Sequence, residues 1–318
     1  SSMIQIIKNQ LKIMKTIIPL FSLAILFVGL TSMNIEKRGF NAPKNYVYIP
    51  SGNLEIDKKT TSIQGFFMSK YEITNNEYNQ FLNDLKSQNR TADYEIAKHQ
   101  NENWLADAEN DYLEPIAKLY HVHSSYGEYP VVTITKAGAD LFCEWKAKQL
   151  QNKIGENYSI TVRLPVKEEW MRAAKGGYSD AKYGWNSNAT KDKKDRYFGN
   201  FKTELDIAFK LTTPVDAYNA NEYGLYNMSG NVAEWTSSAY YENAYSFLHD
   251  LNPDIRYDAT DEDYEADQRK VIRGGSWKDV AYFLRCGVRH WEYQDTTKSY
   301  VGFRCALTFL GRSINDDF

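Results

Sequence analysis

Two stretches constrain this chain more than any others. Asn219 to Trp235 reads Asn-Ala-Asn-Glu-Tyr-Gly-Leu-Tyr-Asn-Met-Ser-Gly-Asn-Val-Ala-Glu-Trp, and Val271 to Arg304 carries Val-Ile-Arg-Gly-Gly-Ser-Trp followed by Tyr-Val-Gly-Phe-Arg-Cys. Gly224, Gly230, Gly274, Gly275 and Gly302 sit among aromatics and oxygen-bearing side chains. That mixture suits an irregular core in which backbone approaches backbone closely and carbonyls point inward. Regular helix or sheet would not need it. The chain is therefore expected to be pinned by side chains as much as by hydrogen-bonded ladders. Its 24 tyrosines among 318 residues fit that view, since each offers area and a polar handle. The same residues also serve binding surfaces.

Periodicity supplies the frame. Tyr46-Val47-Tyr48-Ile49 reads as a strand stopped by Pro50, and Ser62 to Tyr71 as a second. Thr74 heads Thr-Asn-Asn-Glu, a capping box opening a helix with Tyr78, Phe81, Leu82 and Leu85 inward. Thr135 caps another helix through Gln149, and Arg163-Leu164-Pro165 leads into a third that Gly176-Gly177 stops. Residues 87–129 and 241–268 read as polar insertions. Within the first, His121 and His123 are expected in an exposed loop, and within the second Asp258, Asp261 and Asp263 in a solvated one. The domain itself spans 46–318.

Ahead of it, Lys8, Lys12 and Lys15 precede an apolar run from Ile17 to Leu30. Residues 1–33 therefore read as a signal peptide or an N-terminal anchor, with 34–45 as a linker. Membrane association through this segment stays open. The formal charge of -3 gives no electrostatic reason to expect nucleic acid.

The best candidate site read from residue types is Asn227 to Glu234. The Asn227 amide, the Gly230 and Val232 carbonyls and the Glu234 carboxylate would wrap one hard cation such as calcium. The same residue types also cap turns. Arg273, Arg285, Arg289 and Arg304 fall in one motif region with Trp277, Trp291 and Tyr293, a cleft that would suit an acidic or planar ligand. Arginines in irregular folds equally satisfy buried carbonyls.

The segments Gly224–Asn227, Gly230–Trp235, Arg273–Trp277 and Gly302–Cys305 resemble, in order, the signatures of the formylglycine-generating, sulfatase-modifying family. Tyr71–Asn75 and Arg163–Pro165 extend the resemblance over nearly everything after Tyr46. It implies an α+β, C-type-lectin-like fold with low regular secondary structure. Within the family, Arg273 to Tyr282 and Glu72 to Tyr78 look most like gliding-motility and type IX secretion lipoproteins. The resemblance places structural calcium on Asn227, Gly230, Val232 and Glu234, and a second ion on Asn200, Phe201, Asp206 and Ala208. It pairs Cys143 with Cys305 in a disulfide and leaves Cys286 a free thiol. The family's enzyme binds Cu(I) through two cysteines shortly after the Gly-Gly-Ser motif. Residues 277–285 here contain none, so no copper and no catalysis are expected. A lipid anchor would also need a cysteine after the apolar run, and none lies between Ser1 and Phe142. The expectation is a non-catalytic, exported scaffold of the cell envelope, in periplasm or outer membrane, whose partners are other envelope proteins of a secretion or motility assembly. The alternative is a glycan- or peptide-binding module, and more remotely an oxidase.

Overall fold

The computed structural model describes residues 42–312, apart from 57, 105–113, 156–157, 186, 204–210, 245–250 and 261. The N-terminal leader or anchor, Asp206, Ala208 and Asp261 lie outside the described residues.

Strand β1 (Tyr46–Ile49) pairs antiparallel with β4 (Phe66–Ser69). The run expected from Ser62 to Tyr71 is interrupted at Gln64-Gly65. Its first residues close β3 (Lys59–Ile63), which forms a two-stranded hairpin with β2 (Gly52–Ile56). Strand β10 (Ala306–Arg312) inserts between β4 and β5 (Tyr158–Arg163), completing the sheet β1-β4-β10-β5. A second four-stranded sheet runs β8-β7-β6-β9, from His290–Tyr293, Arg269–Arg273, Ala233–Ala239 and Val301–Gly302 respectively. Strands β6 and β9 pair in parallel. The two sheets thus exchange the chain at Phe303–Cys305, between β9 and β10.

Helix α1 (Asn75–Ser87) starts where the capping box puts it: the Thr74 hydroxyl accepts the Glu77 N–H at 3.2 Å. Short helices α2 (Thr91–Ala97) and α3 (Glu114–Leu119) follow, then α4 (Lys136–Ile154), capped by Thr135 through the Gly138 N–H at 3.1 Å. Helix α5 (Lys167–Ala174) begins two residues after Pro165. Glu169 receives the Val166 N–H at 3.0 Å and clamps Arg163 at 2.7 and 2.6 Å.

Tyr78 and Phe81 from α1 meet Phe142 and Trp145 from α4, and Phe303 arrives from the sheet crossover. Phe142 lies 5.6 Å from Tyr78 and 5.3 Å from Phe303, ring to ring. Each such pair adds about 0.5–1.5 kcal/mol beyond its buried area. Helices packed on small sheets make this an α+β fold. Among the described residues no helix is long and apolar enough to cross a membrane.

Segment 87–129 is more than a surface insertion. Trp104, Tyr120 and His121 are buried within the domain. His121 bonds Asn75 Oδ1 at 2.9 Å and Thr133 Oγ1 at 3.0 Å and stacks on His99, so the exposed-loop expectation fails for it and holds for His123. Burial holds His99 down to about 4 and His121 well below the ordinary imidazole value. In segment 241–268, the Asp258 side chain is 89% exposed and reaches Lys270 at 3.3 Å, while Asp263 caps Thr260.

Gly230 shows why the motif glycines are needed. It has φ +97°, and a Cβ there would lie 2.5 Å from the Asn200 carbonyl oxygen. Gly230→Ala should therefore cost more than the roughly 1–3 kcal/mol of backbone strain. Gly155→Ala (φ +86°, nothing within 4 Å) should carry the strain alone. Urea denaturation midpoints check the order; equal losses would refute the close-approach account.

Candidate functional site

The site is built on an ion pair shut away from solvent. Arg304, in the crossover, and Glu234, on β6, have side-chain exposures of 0% and 1%. Arg304 Nε donates to both carboxylate oxygens at 2.9 and 2.8 Å, and Nη2 donates to Oε1 at 2.7 Å. The remaining guanidinium protons go to the carbonyls of Ser69, Lys70 and Tyr226 at 3.3, 3.1 and 2.7 Å. Trp170 Nε1, from α5, donates to Glu234 Oε2 at 2.6 Å. A buried pair is tolerable only when its leftover donors and acceptors are satisfied in this way.

Next to it lies a second carboxyl. Glu72 accepts from Asn227 Nδ2 at 2.9 Å and from Asn231 Nδ2 at 3.0 Å. Asn227 and Asn231 adopt φ of 51° and 66°, left-handed positions that asparagine tolerates. Burial raises the Glu72 carboxyl to about 8; Arg304 opposes the shift and Glu234 adds to it.

This geometry bears on the two calcium sets. Asn227, Gly230, Val232 and Glu234 do lie together, with Asn227 Nδ2 donating to Glu72 and the Val215 carbonyl. The Glu234 carboxylate already receives four hydrogen bonds from Arg304 and Trp170. That set fits a cation poorly, because a guanidinium answers its charge. Asn200 is different. It is 1% exposed, its Nδ2 donates to the Leu211 carbonyl at 2.7 Å, and its Oδ1 is buried without a hydrogen-bond partner. An orphaned buried amide oxygen fits a hard cation.

The Arg-Gly-Gly-Ser motif borders a cavity of about 200 Å³ lined by Arg273, Gly274, Gly275, Lys278, Phe283 and His290, among others. Gly275 (φ +66°) is required there, since a Cβ would meet Leu284 Cδ1 at 2.9 Å. Asp279, also at the cavity, accepts from Ser276 Oγ at 2.6 Å. No cysteine lines this space. The expected arginine and aromatic surface does not form as one face. Arg273 is 1% exposed and donates to the Val288 and Lys167 carbonyls at 2.7 and 3.3 Å. Trp277 is buried and donates to the Ser299 carbonyl, while Arg289 donates to the Tyr241 and Glu242 carbonyls. Trp291 and Tyr293 stand half-buried on β8, with Arg269 over the Trp291 ring at 5.0 Å. Arg285 lies over the Tyr282 ring at 4.9 Å, its Nε shielded and unpartnered. Carbonyl satisfaction accounts for Arg273 and Arg289.

All three cysteines are buried free thiols. Cys143 and Cys305, the pair expected to form a disulfide, face each other with Sγ atoms 3.6 Å apart. Cys286 sits in the apolar core under α5, where burial pushes its thiol up to about 12. That is far from the thiolate character a nucleophile needs.

The sequence matches the sulfatase-modifying factor enzyme 1-like domain over residues 31–309. The chain belongs to that family. It is 26% identical over 284 residues to a formylglycine-generating enzyme of Bos taurus, covering 80% of this chain and 69% of the relative. It is 30% identical over 187 residues to the inactive C-alpha-formylglycine-generating enzyme 2 of Bos taurus, covering 56% and 50%. It is also 29% identical over 254 residues to the serine/threonine-protein kinase Pkn1 of Chlamydia trachomatis, covering 79% of this chain but only 34% of that protein. The chain thus spans about a third of the length of the kinase-named relatives. Among solved structures, the fold is shared with CarF (TM-score 0.57, 20% identity, covering 83% and 98%). It is shared too with PvdO from Pseudomonas aeruginosa (TM-score 0.56, 19%, covering 86% and 97%).

Removing one ionic partner should be costly: Glu234→Ala strands a buried guanidinium and should lower stability by about 3–5 kcal/mol, read by urea denaturation. A loss under about 1 kcal/mol would contradict the role given to the pair. Glu72 makes a pH prediction. Its folded value of about 8 lies above the ordinary 4.5, so between them the folded state binds the extra proton. Stability should fall as pH rises through that window, and Glu72→Gln should flatten the slope. Parallel slopes for wild type and variant would exclude Glu72 as the cause.

Proposed function

We propose that this protein is a non-catalytic, exported scaffold of the bacterial cell envelope that serves gliding motility or type IX secretion. The observation that carries the reading is the wall of the Gly-Gly-Ser cavity. Lys278, Asp279 and Phe283 line the place where the family resemblance puts a copper-binding cysteine pair. The chain's three thiols are buried elsewhere, and hard side chains at the cavity are poor ligands for Cu(I). The wording of Arg273 to Tyr282 and of Glu72 to Tyr78 supports the motility and secretion assignment. Similarity to the inactive formylglycine-generating enzyme 2 is consistent with the fold serving without that chemistry.

A structural calcium ion at Asn200 and the Phe201 carbonyl belongs to this reading, supported by the orphaned Asn200 oxygen. So does a disulfide between Cys143 and Cys305 in an oxidising compartment, supported by their contact. A second reading, a glycan- or peptide-binding module, is favoured by the same cavity and by the buried Arg273 at it.

The test is extraction of the tagged protein from its own envelope in mild detergent with calcium, followed by mass spectrometry of what accompanies it. Recovery in a large complex with secretion or motility components is expected. Recovery alone as a monomer would overturn the scaffold. Separately, copper-loaded protein should form no aldehyde on a sulfatase-type cysteine peptide, and aldehyde formation would overturn the non-catalytic reading.

A further inference from the structure

Between α1 and α4 the chain is fastened to the domain by two histidines. His99 and His121 stack with ring centroids 4.1 Å apart and planes inclined by 23°. Tyr120 meets the His121 ring edge to face at 5.0 Å. Asn75 spends its Nδ2 on the carbonyls of Tyr120 and Tyr126, both at 3.0 Å, which leaves its Oδ1 as an acceptor. His121 Nδ1 therefore carries the proton of the bond to Asn75, and Nε2 accepts from the Thr133 hydroxyl. In this arrangement His121 is neutral. We propose that the His99–His121 stack is an acid-sensitive clasp, which on taking up protons lets residues 97–104 and 120–126 come away from the domain.

Charge is what the site cannot hold. His121 is 2% exposed, and a charge buried without a counter-charge is costly. Among the described residues no carboxylate pairs with either ring. The charged group that faces His99 is the Lys86 ammonium of α1, a like charge, and the titratable group that faces His121 is His99 itself. On the segment's own side, Lys98 pairs with Glu95 at 2.5 Å. Burial first, and these neighbours second, keep both rings below the ordinary imidazole value.

Acid also works against the anchors. His99 Nδ1 is shielded and has no hydrogen-bond partner, so that nitrogen adds nothing to the hold of the stack. A second proton on His121, at Nε2, removes the acceptor that Thr133 uses and forces its hydroxyl to turn. Thr133 holds φ at 55°, a left-handed position that strains a β-branched residue. Its carbonyl receives the Gln100 N–H at 3.0 Å, so relaxation at Thr133 passes directly to the His99 segment. Opening would bare Trp104 and Tyr120, which are 0% and 1% exposed and stand 4.6 Å apart ring to ring. The protein would then present in acid an aromatic surface that it lacks at neutral pH.

The clasp does not depend on the scaffold reading. Glu72 contributes to global stability in the opposite direction, so the test reads local protection. Hydrogen exchange of the purified full chain is followed by mass spectrometry at pH values from about 7.5 to about 5, and expressed as protection factors, which remove the intrinsic pH dependence of exchange. Below about pH 6.5 the opening constant of residues 97–104 and 120–126 should rise by up to about tenfold per pH unit for each histidine, hence up to about 100-fold for the pair. Protection of α4 should stay constant over the same range. His99→Phe keeps a ring on His121 but takes no proton, and should cut the slope to at most about tenfold per unit. Should that variant fail to fold, His99→Gln should cut it likewise. Protection of the two segments that does not change with pH, an equal slope in wild type and a folded His99 variant, or α4 losing protection in parallel would each overturn the clasp.

Discussion

The Arg304–Glu234 pair is the interaction on which the rest depends. It joins the crossover between the two sheets to β6, brings α5 in through Trp170, and holds the carbonyls of residues 69, 70 and 226 around one guanidinium. Two charges buried this deeply would be a liability with any hydrogen bond missing. The surrounding loops are consequently fixed in one arrangement, although much of their backbone belongs to no ladder. Glu72, with Asn227 and Asn231, forms an adjoining polar shell in which left-handed asparagines turn their amides inward. Polarity in this core therefore specifies geometry, while the aromatic cluster of α1 and α4 supplies the buried area.

That division separates the polar centre from the cavity beside the Arg-Gly-Gly-Ser motif. The cavity beside Gly274 and Gly275 is shaped by backbone that the glycines alone permit, so it does not depend on which side chains follow the motif.

Several elements were legible from residue order. Thr74 and Thr135 cap helices because a hydroxyl followed three residues later by a free N–H is a local arrangement that needs no tertiary partner. The motif glycines announced close backbone approach, and Gly230 against Asn200 delivers it. Illegible was the fate of polar side chains. Arg273 and Arg289 look the same in sequence whether they face a ligand or a carbonyl, and the structure sends both to carbonyls. His121 read as a solvated loop residue because its partners, Asn75 and Thr133, belong to other segments. The break at Gln64-Gly65 makes two strands of one apparent run, and only a lone glycine marks it in the sequence.

The sequence by itself determined the family, the capped helices, the α+β class and the positions where only glycine fits, because each follows from spacing or from a single residue's backbone freedom. Tertiary structure alone decided that Glu234 answers Arg304, that Glu72 is buried against Asn227 across 155 residues, and that Cys143 meets Cys305. Those outcomes depend on burial and on which distant groups arrive together, and desolvation is a property of the assembled core that no local pattern encodes.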